Sequence, residues 1–278
     1  MLENLECMLK QAATSLERRE VDQAFEVLDG AIDRFPDDPR PWQMRGCAKH
    51  RFGEYGEAIE DLEVASSLGR LRHSAELTLA DCYRLSGEAE RCCTQLTTLV
   101  HDEECPIKVL ARAACMLGGL SEHSTALVVC ERILEQQPEA HQAWFGVGFY
   151  RARLDFSARQ VEPFIAEASR LAENNRLYKA NLGLLKLTTS DAAGAWKILD
   201  SLDASLVRCP NLMNILACVY DRAGQRKRAK QWRDQMEALF GCRRFPHNQC
   251  QRASEHCRTC CVALPNRILD ELRGEVLS

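Results

Sequence analysis

The sequence predicts an all-α chain built as a solenoid of helical hairpins, and three observations carry that prediction. First, Pro36, Trp42 and Gly46 recur as Pro138, Trp144 and Gly148, three steps of 34 residues further on. Second, apolar residues keep the same register. Ala24, Ala58, Cys92 and Ala126 lie 34 apart, as do Leu28, Leu62, Leu96 and Cys130, and also Ala31, Ala65, Leu99 and Ile133. Within each copy these residues are spaced by four and then three, which puts them on one face of a helix. Third, Gly53, Gly87 and Gly224 stand where one helix of a pair must stop before the next begins. Glycine is suited to the left-handed conformation that ends a helix.

The period divides the chain into seven copies, about residues 5–38, 39–72, 73–106, 107–140, 141–175, 176–209 and 210–243, followed by a cysteine-rich extension over 244–278. In the second copy Trp42 and Gly46 mark the first helix. Ala80 and Tyr83 do so in the third, Trp144 and Gly148 in the fifth, Leu182 and Gly183 in the sixth, and Ala217 and Tyr220 in the seventh. Small residues let the two helices of a hairpin approach, a larger residue one turn on fills the space beside them, and a proline after the second helix ends it. The fifth copy is the least regular. Pro163 stands where other copies have helix interior, and the small and large positions slip by about four, which predicts a longer loop and a second helix starting near Pro163. The final stretch, LPNRILDELRGEVLS, reads as an amphipathic helix with Ile268, Leu269 and Leu272 on one face.

A 34-residue period with this order of Trp, Gly, Tyr, Ala, a large apolar residue and Pro resembles the tetratricopeptide repeat. The match is piecemeal. Arg45 stands where that family has Leu, and Lys49 and Arg151 where it has Tyr. The resemblance covers about 240 residues and implies a right-handed superhelix whose concave surface, lined by the first helix of each repeat, takes a peptide or helix of a partner protein. It also implies which residues line that groove. They are Arg40, Gln43, His50 and Arg51, then Asp81 and Arg84, then Lys108, and further on Phe145, Phe149, Arg153, Leu184 and Asn214. The early part of this set is mostly basic and the later part mostly apolar, a combination suited to a segment with acidic and hydrophobic anchors.

Composition narrows the function. The chain has 278 residues, 27% charged and 6% aromatic, with a formal net charge of −4, as an ordinary soluble protein would. No apolar run reaches the length of a membrane helix, and the first twenty residues carry acids where a secretory signal needs a basic patch and an apolar core, so a cytoplasmic location is expected. The 15 cysteines sit mostly singly in helical patterns, which favours reduced, buried thiols over a disulfide framework. No HExxH, phosphate loop or nucleophile elbow is present, which favours a non-catalytic scaffold without a cofactor.

An alternative reading rests on the C-terminal end. Ten Lys or Arg and three acids lie between Arg222 and Arg258, a basic stretch that could contact nucleic acid. Cys242, Cys250, Cys257 and Cys260 could hold a zinc ion, although only Cys257 and Cys260 have the spacing of a zinc knuckle. A polar capping helix and a short helix packing buried thiols account for the same residues. The scaffold is therefore the main reading, its protein partner unnamed and self-association open.

Overall fold

A computed structural model describes residues 2–189, 191–242, 262–266 and 268. Among these residues there are fourteen α-helices and no strand: α1 (Leu2–Glu17), α2 (Val21–Arg34), α3 (Pro39–Phe52), α4 (Tyr55–Leu68), α5 (His73–Leu85), α6 (Ala89–His101), α7 (Ile107–Gly119), α8 (His123–Gln136), α9 (His141–Arg153), α10 (Ala158–Leu171), α11 (Arg176–Thr188), α12 (Ala192–Asp200), α13 (Pro210–Arg222) and α14 (Arg226–Phe240). A 3-10 turn, Ala204–Leu206, precedes α13. The chain divides into two compact units, Met1–Met116 and Leu117–Ser278. In the first, α1 packs on α2, α3 on α4 and α5 on α6; in the second, α9 packs on α10, α11 on α12 and α13 on α14.

The 34-residue period is written in the backbone. Arg19, Gly53, Gly87, Ser121 and Asp155, each 34 residues after the last, have positive φ of 64°, 84°, 82°, 67° and 57°. After each, the next N–H donates to the carbonyl five residues back, as Glu20 does to Ser15, Glu54 to Lys49, Glu88 to Tyr83, Glu122 to Leu117 and Phe156 to Arg151. This bond satisfies an otherwise orphaned carbonyl at the helix end. Gly224, with φ of 74°, ends α13 in the same way. Three of these turns thus use a residue other than glycine, and the period survives because the hydrogen bond, not the glycine, defines the turn.

Two further repeated features hold the hairpins. The Trp42 indole N–H donates to the carbonyl of Pro36 at 3.1 Å, and that of Trp144 to Pro138 at 2.7 Å. Each indole therefore ties the start of a first helix to the proline that ended the preceding helix. At Gly46 and Gly148 the helices approach so closely that an added Cβ would lie 2.7 Å from Leu62 Cγ and 2.6 Å from Ile165 Cδ1. The buried residues of the second helices, such as Ala58, Leu62 and Ala65 in α4, are those of the sequence register.

The fifth copy differs from its expected form. The helix does not begin near Pro163 but at Ala158, where Ser157 and Gln160 form a capping box, with Pro163 inside α10. A capping box satisfies two orphan donors and starts the helix early. The slip is one residue rather than about four: Val161, Ile165 and Ala168 are buried, 35 residues after Ala126, Cys130 and Ile133. The extra residue lies in the turn, between Asp155 and the start of α10.

The thiols are reduced among the described residues, and Cys82, Cys92, Cys105, Cys130 and Cys209 are buried. Burial pushes the Cys82 thiol up to about 12 and that of Cys92 up to about 11. Protonated and enclosed, these cysteines act as small apolar residues.

Candidate interaction surface

In the first unit most of the residues expected on the groove are engaged with other side chains or with backbone. Arg40 donates to both carboxylate oxygens of Asp38, at 2.9 and 2.8 Å, and pairs with Glu6, one repeat earlier. Gln43 accepts the backbone N–H of Arg72 at 3.0 Å. His50 Nε2 lies 3.0 Å from Asp81, which also accepts from Arg84 Nε at 2.9 Å. Burial alone would raise the Asp81 carboxyl, but hydrogen bonds and charge from Arg84 and His50 hold it below the usual carboxylate range. Arg51 and Lys108 stand exposed. The basic character legible in the sequence is therefore partly neutralised within the unit, because Arg40, His50 and Arg84 each sit beside an acid from their own or a neighbouring hairpin.

Behind this face lies a second ionic cluster. The carboxylate of Asp61, 4% exposed, accepts from Arg45 Nε and Nη2 at 2.8 and 2.7 Å and pairs with Lys49 at 3.2 Å. Arg45 also pairs with Asp29 at 2.6 Å and lies 4.9 Å from the Trp42 ring centre. Arg45 and Lys49 are two of the residues that depart from the repeat pattern, and both serve Asp61. A bidentate, partly buried pair of this kind is strong and geometrically specific.

The second unit is built differently. Its first helices α11 and α13 are apolar almost all round: Tyr178, Ala180, Leu182, Leu184 and Leu185 are buried in one, and Leu212, Met213, Ile215, Leu216, Val219 and Tyr220 in the other. A helix buried on every side must be covered on every side. Part of the cover is the chain's own C-terminal segment. Val262, Ala263 and Leu264 are fully buried in one cluster with Leu184 and Leu212, against which Phe145, Phe149 and Ile268 pack. Leu184, expected on the groove surface, is therefore a core residue here, while Phe145, Phe149 and Asn214 are partly buried.

The segment is non-helical at 262–265, and side chains of the α9–α11 region read its backbone. Asn181 Oδ1 accepts the Ala263 N–H at 2.7 Å, and Arg153 Nη2 donates to the Val262 carbonyl at 3.0 Å. Arg153 Nη1 donates to Asn266 Oδ1 at 3.1 Å, and Asp155 accepts the Asn266 N–H at 3.1 Å. Arg153 in turn lies 4.9 Å from the Phe149 ring centre, so cation and ring brace each other. Phe145 stacks on Tyr178 at 4.7 Å. The sequence singled out Arg153 and Phe149 but not Asn181 or Asp155. The one available signal was Asp155 at a turn position that is glycine in other copies.

At the C-terminal basic stretch three of the described cations are engaged: Arg233 pairs with Asp221, Lys230 lies 3.2 Å from Asp234, and Arg228 donates to the Asp200 carbonyl at 2.9 Å. Of the expected metal ligands, Cys242 is partly buried, and Cys250, Cys257 and Cys260 lie outside the described residues. No described helix is long and apolar enough to cross a membrane.

Stacked helical hairpins with a 34-residue period and a held non-helical segment define a helical-repeat protein. The chain has the fold of tetratricopeptide-repeat proteins, and residues 6–38 match the family model for the tetratricopeptide repeat. A tetratricopeptide repeat protein from Parabacteroides merdae is similar over 98% of both chains, at 14% identity and a TM-score of 0.61. The C-terminal part of a repeat-containing protein from Cytophaga hutchinsonii is 11% identical, covers 83% of this chain and 95% of its own, and has a TM-score of 0.63. YrrB, described as a tetratricopeptide-repeat protein with an unusual peptide-binding site, is 15% identical over 62% of this chain and 89% of its own, with a TM-score of 0.54. No curated protein matches the sequence.

Proposed function

We propose that the chain is a non-catalytic interaction scaffold that binds an extended segment of a partner protein on the face formed by α9 and α11. The observation that carries this reading is the main-chain recognition of residues 262–266 by Asn181, Arg153 and Asp155. Side chains that hydrogen-bond another segment's backbone while enclosing its apolar side chains do what a peptide-binding site must do. The fold shared with YrrB, whose description names a peptide-binding site, supports the same reading. In the first unit the pairing of Arg40 with Asp38 and Glu6, and of Arg84 with Asp81, leaves Arg51 and Lys108 as its exposed groove cations.

A displayed library of random peptides tests the proposal, selected on the intact chain and on a Leu264→Asp variant that weakens the resident segment. Enrichment of extended, apolar peptides on either protein, lost on adding Arg153→Ala, is the expected result. If neither protein enriches any peptide above an unrelated helical control, the scaffold reading fails.

A further inference from the structure

We infer that residues 262–266 are a tethered occupant of this site, so that a partner must displace them, and that the partner segment shares their chemistry: two small apolar residues, a leucine and proline, and an asparagine. The inference rests on the proposed scaffold function and says what the site recognises and how access to it is controlled.

Four features distinguish the segment from ordinary core. It is non-helical from Val262 to Pro265, with a bend at Leu264, so its backbone groups depend on partners outside itself. Those partners are side chains. Asn181 takes the Ala263 N–H, Arg153 supplies a donor to the Val262 carbonyl, and Asp155 takes the Asn266 N–H. Two of these three residues are placed by repeat architecture, since Arg153 ends α9 and Asp155 holds the positive-φ position of the following turn. Finally, the contacts span 82 to 113 residues of sequence, so they join the end of the chain to hairpins that are already complete without it.

The side chains set the specificity. Ala263 is fully buried with its N–H on Asn181, which leaves little room for a larger residue. Val262 and Leu264 are fully buried on either side of it, so a bound segment must supply apolar side chains of similar size there. Pro265 limits the conformations lost on binding, and Asn266 is read twice, through its side chain by Arg153 and through its backbone by Asp155. A tethered segment is present at an effective concentration on the order of 1 mM. At that concentration a site of modest affinity is mostly occupied, and an external ligand of the same chemistry binds more weakly by the occupied-to-free ratio.

The test uses a labelled peptide of sequence VALPNRI, residues 262–268, with the full chain and full-length variants. Leu264→Asp should bind the peptide at least about tenfold more tightly than the unchanged chain, and adding Arg153→Ala should remove that binding. In the unchanged chain, excess peptide should speed hydrogen exchange at the Ala263 amide, a readout that stands even if Leu264→Asp does not fold. Equal peptide affinity for the two proteins, or an Ala263 amide indifferent to peptide, would overturn tethered occupancy. A concentration-dependent dimer of the unchanged chain, dissociated by the peptide, would place the segment on a second copy and overturn it as well. If the Leu264→Asp variant enriches library peptides but does not bind VALPNRI, this inference falls and the scaffold reading stands; enrichment of nothing sinks the scaffold reading itself.

Discussion

The two units use one repeat backbone for opposite chemistries. Up to Met116, first-helix faces carry Arg, Lys, His and Asp paired within and across neighbouring hairpins, and the nearly buried carboxylate of Asp61 is held by Arg45 and Lys49. From Leu117 on, the corresponding helices carry Phe145, Phe149, Tyr178 and Tyr220 and are covered in part by residues 262–264. The repeat therefore specifies where helices turn and approach, through small residues and turn hydrogen bonds, and leaves the exposed face of the first helix free to vary. A face whose charges satisfy one another has little left to offer a ligand, whereas an apolar face with main-chain readers needs one.

The largest expected effect lies in the apolar unit. Trp232 is 2% exposed in the cluster that includes Met236 and Tyr220. Trp232→Ala should cost about 3–5 kcal/mol in urea unfolding followed by circular dichroism, the range for an aromatic lost from a core. A cost below about 1 kcal/mol would show that the second unit does not depend on this core.

Next comes the ionic unit. Asp61→Ala leaves Arg45 and Lys49, with side chains 18% and 14% exposed, without their shared acceptor. A loss of about 2 kcal/mol is expected, the usual cost when a hydrogen bond to a charged group is removed. Because the carboxylate is shielded from solvent, the loss should change little between low and high salt. A strong salt dependence would make the cluster a surface feature and blur the contrast between units.

A smaller effect of opposite sign is expected at the turns. Arg19 and Ser121 hold positive φ where Gly53 and Gly87 stand in sister copies. Arg19→Gly or Ser121→Gly should stabilise the chain by about 0.5–1 kcal/mol, the steric cost of a left-handed residue less the extra entropy of glycine. Asp155→Gly should not stabilise it, because it also loses the acceptor for the Asn266 N–H. If all three substitutions stabilise equally, Asp155 does not hold the C-terminal segment.

The smallest effect is a pH dependence confined to the second unit. Burial, and then the positive charge of Arg153, hold the His123 imidazole below its ordinary 6.5. The unfolded chain therefore takes up this proton at a higher pH than the folded chain does. Its contribution is fully present above about pH 6.5 and is lost as the pH falls toward the depressed folded value. His123→Phe keeps a ring against Tyr150, stacked at 6.0 Å, and should flatten this part of the stability curve. An unchanged slope would show that other groups carry it.

How far each feature could be read in advance depended on the range of its cause. The 34-residue register was legible because small residues, prolines and glycines act on their own hairpin, and Trp42 and Trp144 each tie the indole to a proline six residues back. The fifth copy was misread because Pro163 is conspicuous, whereas the Ser157 and Gln160 capping box that starts α10 is inconspicuous. Among the residues expected on the groove, Phe149 and Arg153 came from the resemblance to the tetratricopeptide repeat, carried over copy by copy. That Arg40 is neutralised by Glu6 and Asp38 depends on which side chains the stacked hairpins bring into reach.

By itself, then, the amino-acid order determined the helical class, the period and the turns, since each is set by local sterics and backbone hydrogen bonds within a few residues. Only the tertiary structure decided what covers α11 and α13, since contacts such as Asn181 to Ala263, 82 residues apart, have no local signature. Hydrophobic burial is non-directional and declares only that an apolar face must be covered. Which segment covers it is settled by the backbone donors and acceptors that meet there, and in this protein they belong to the chain's own C-terminal end.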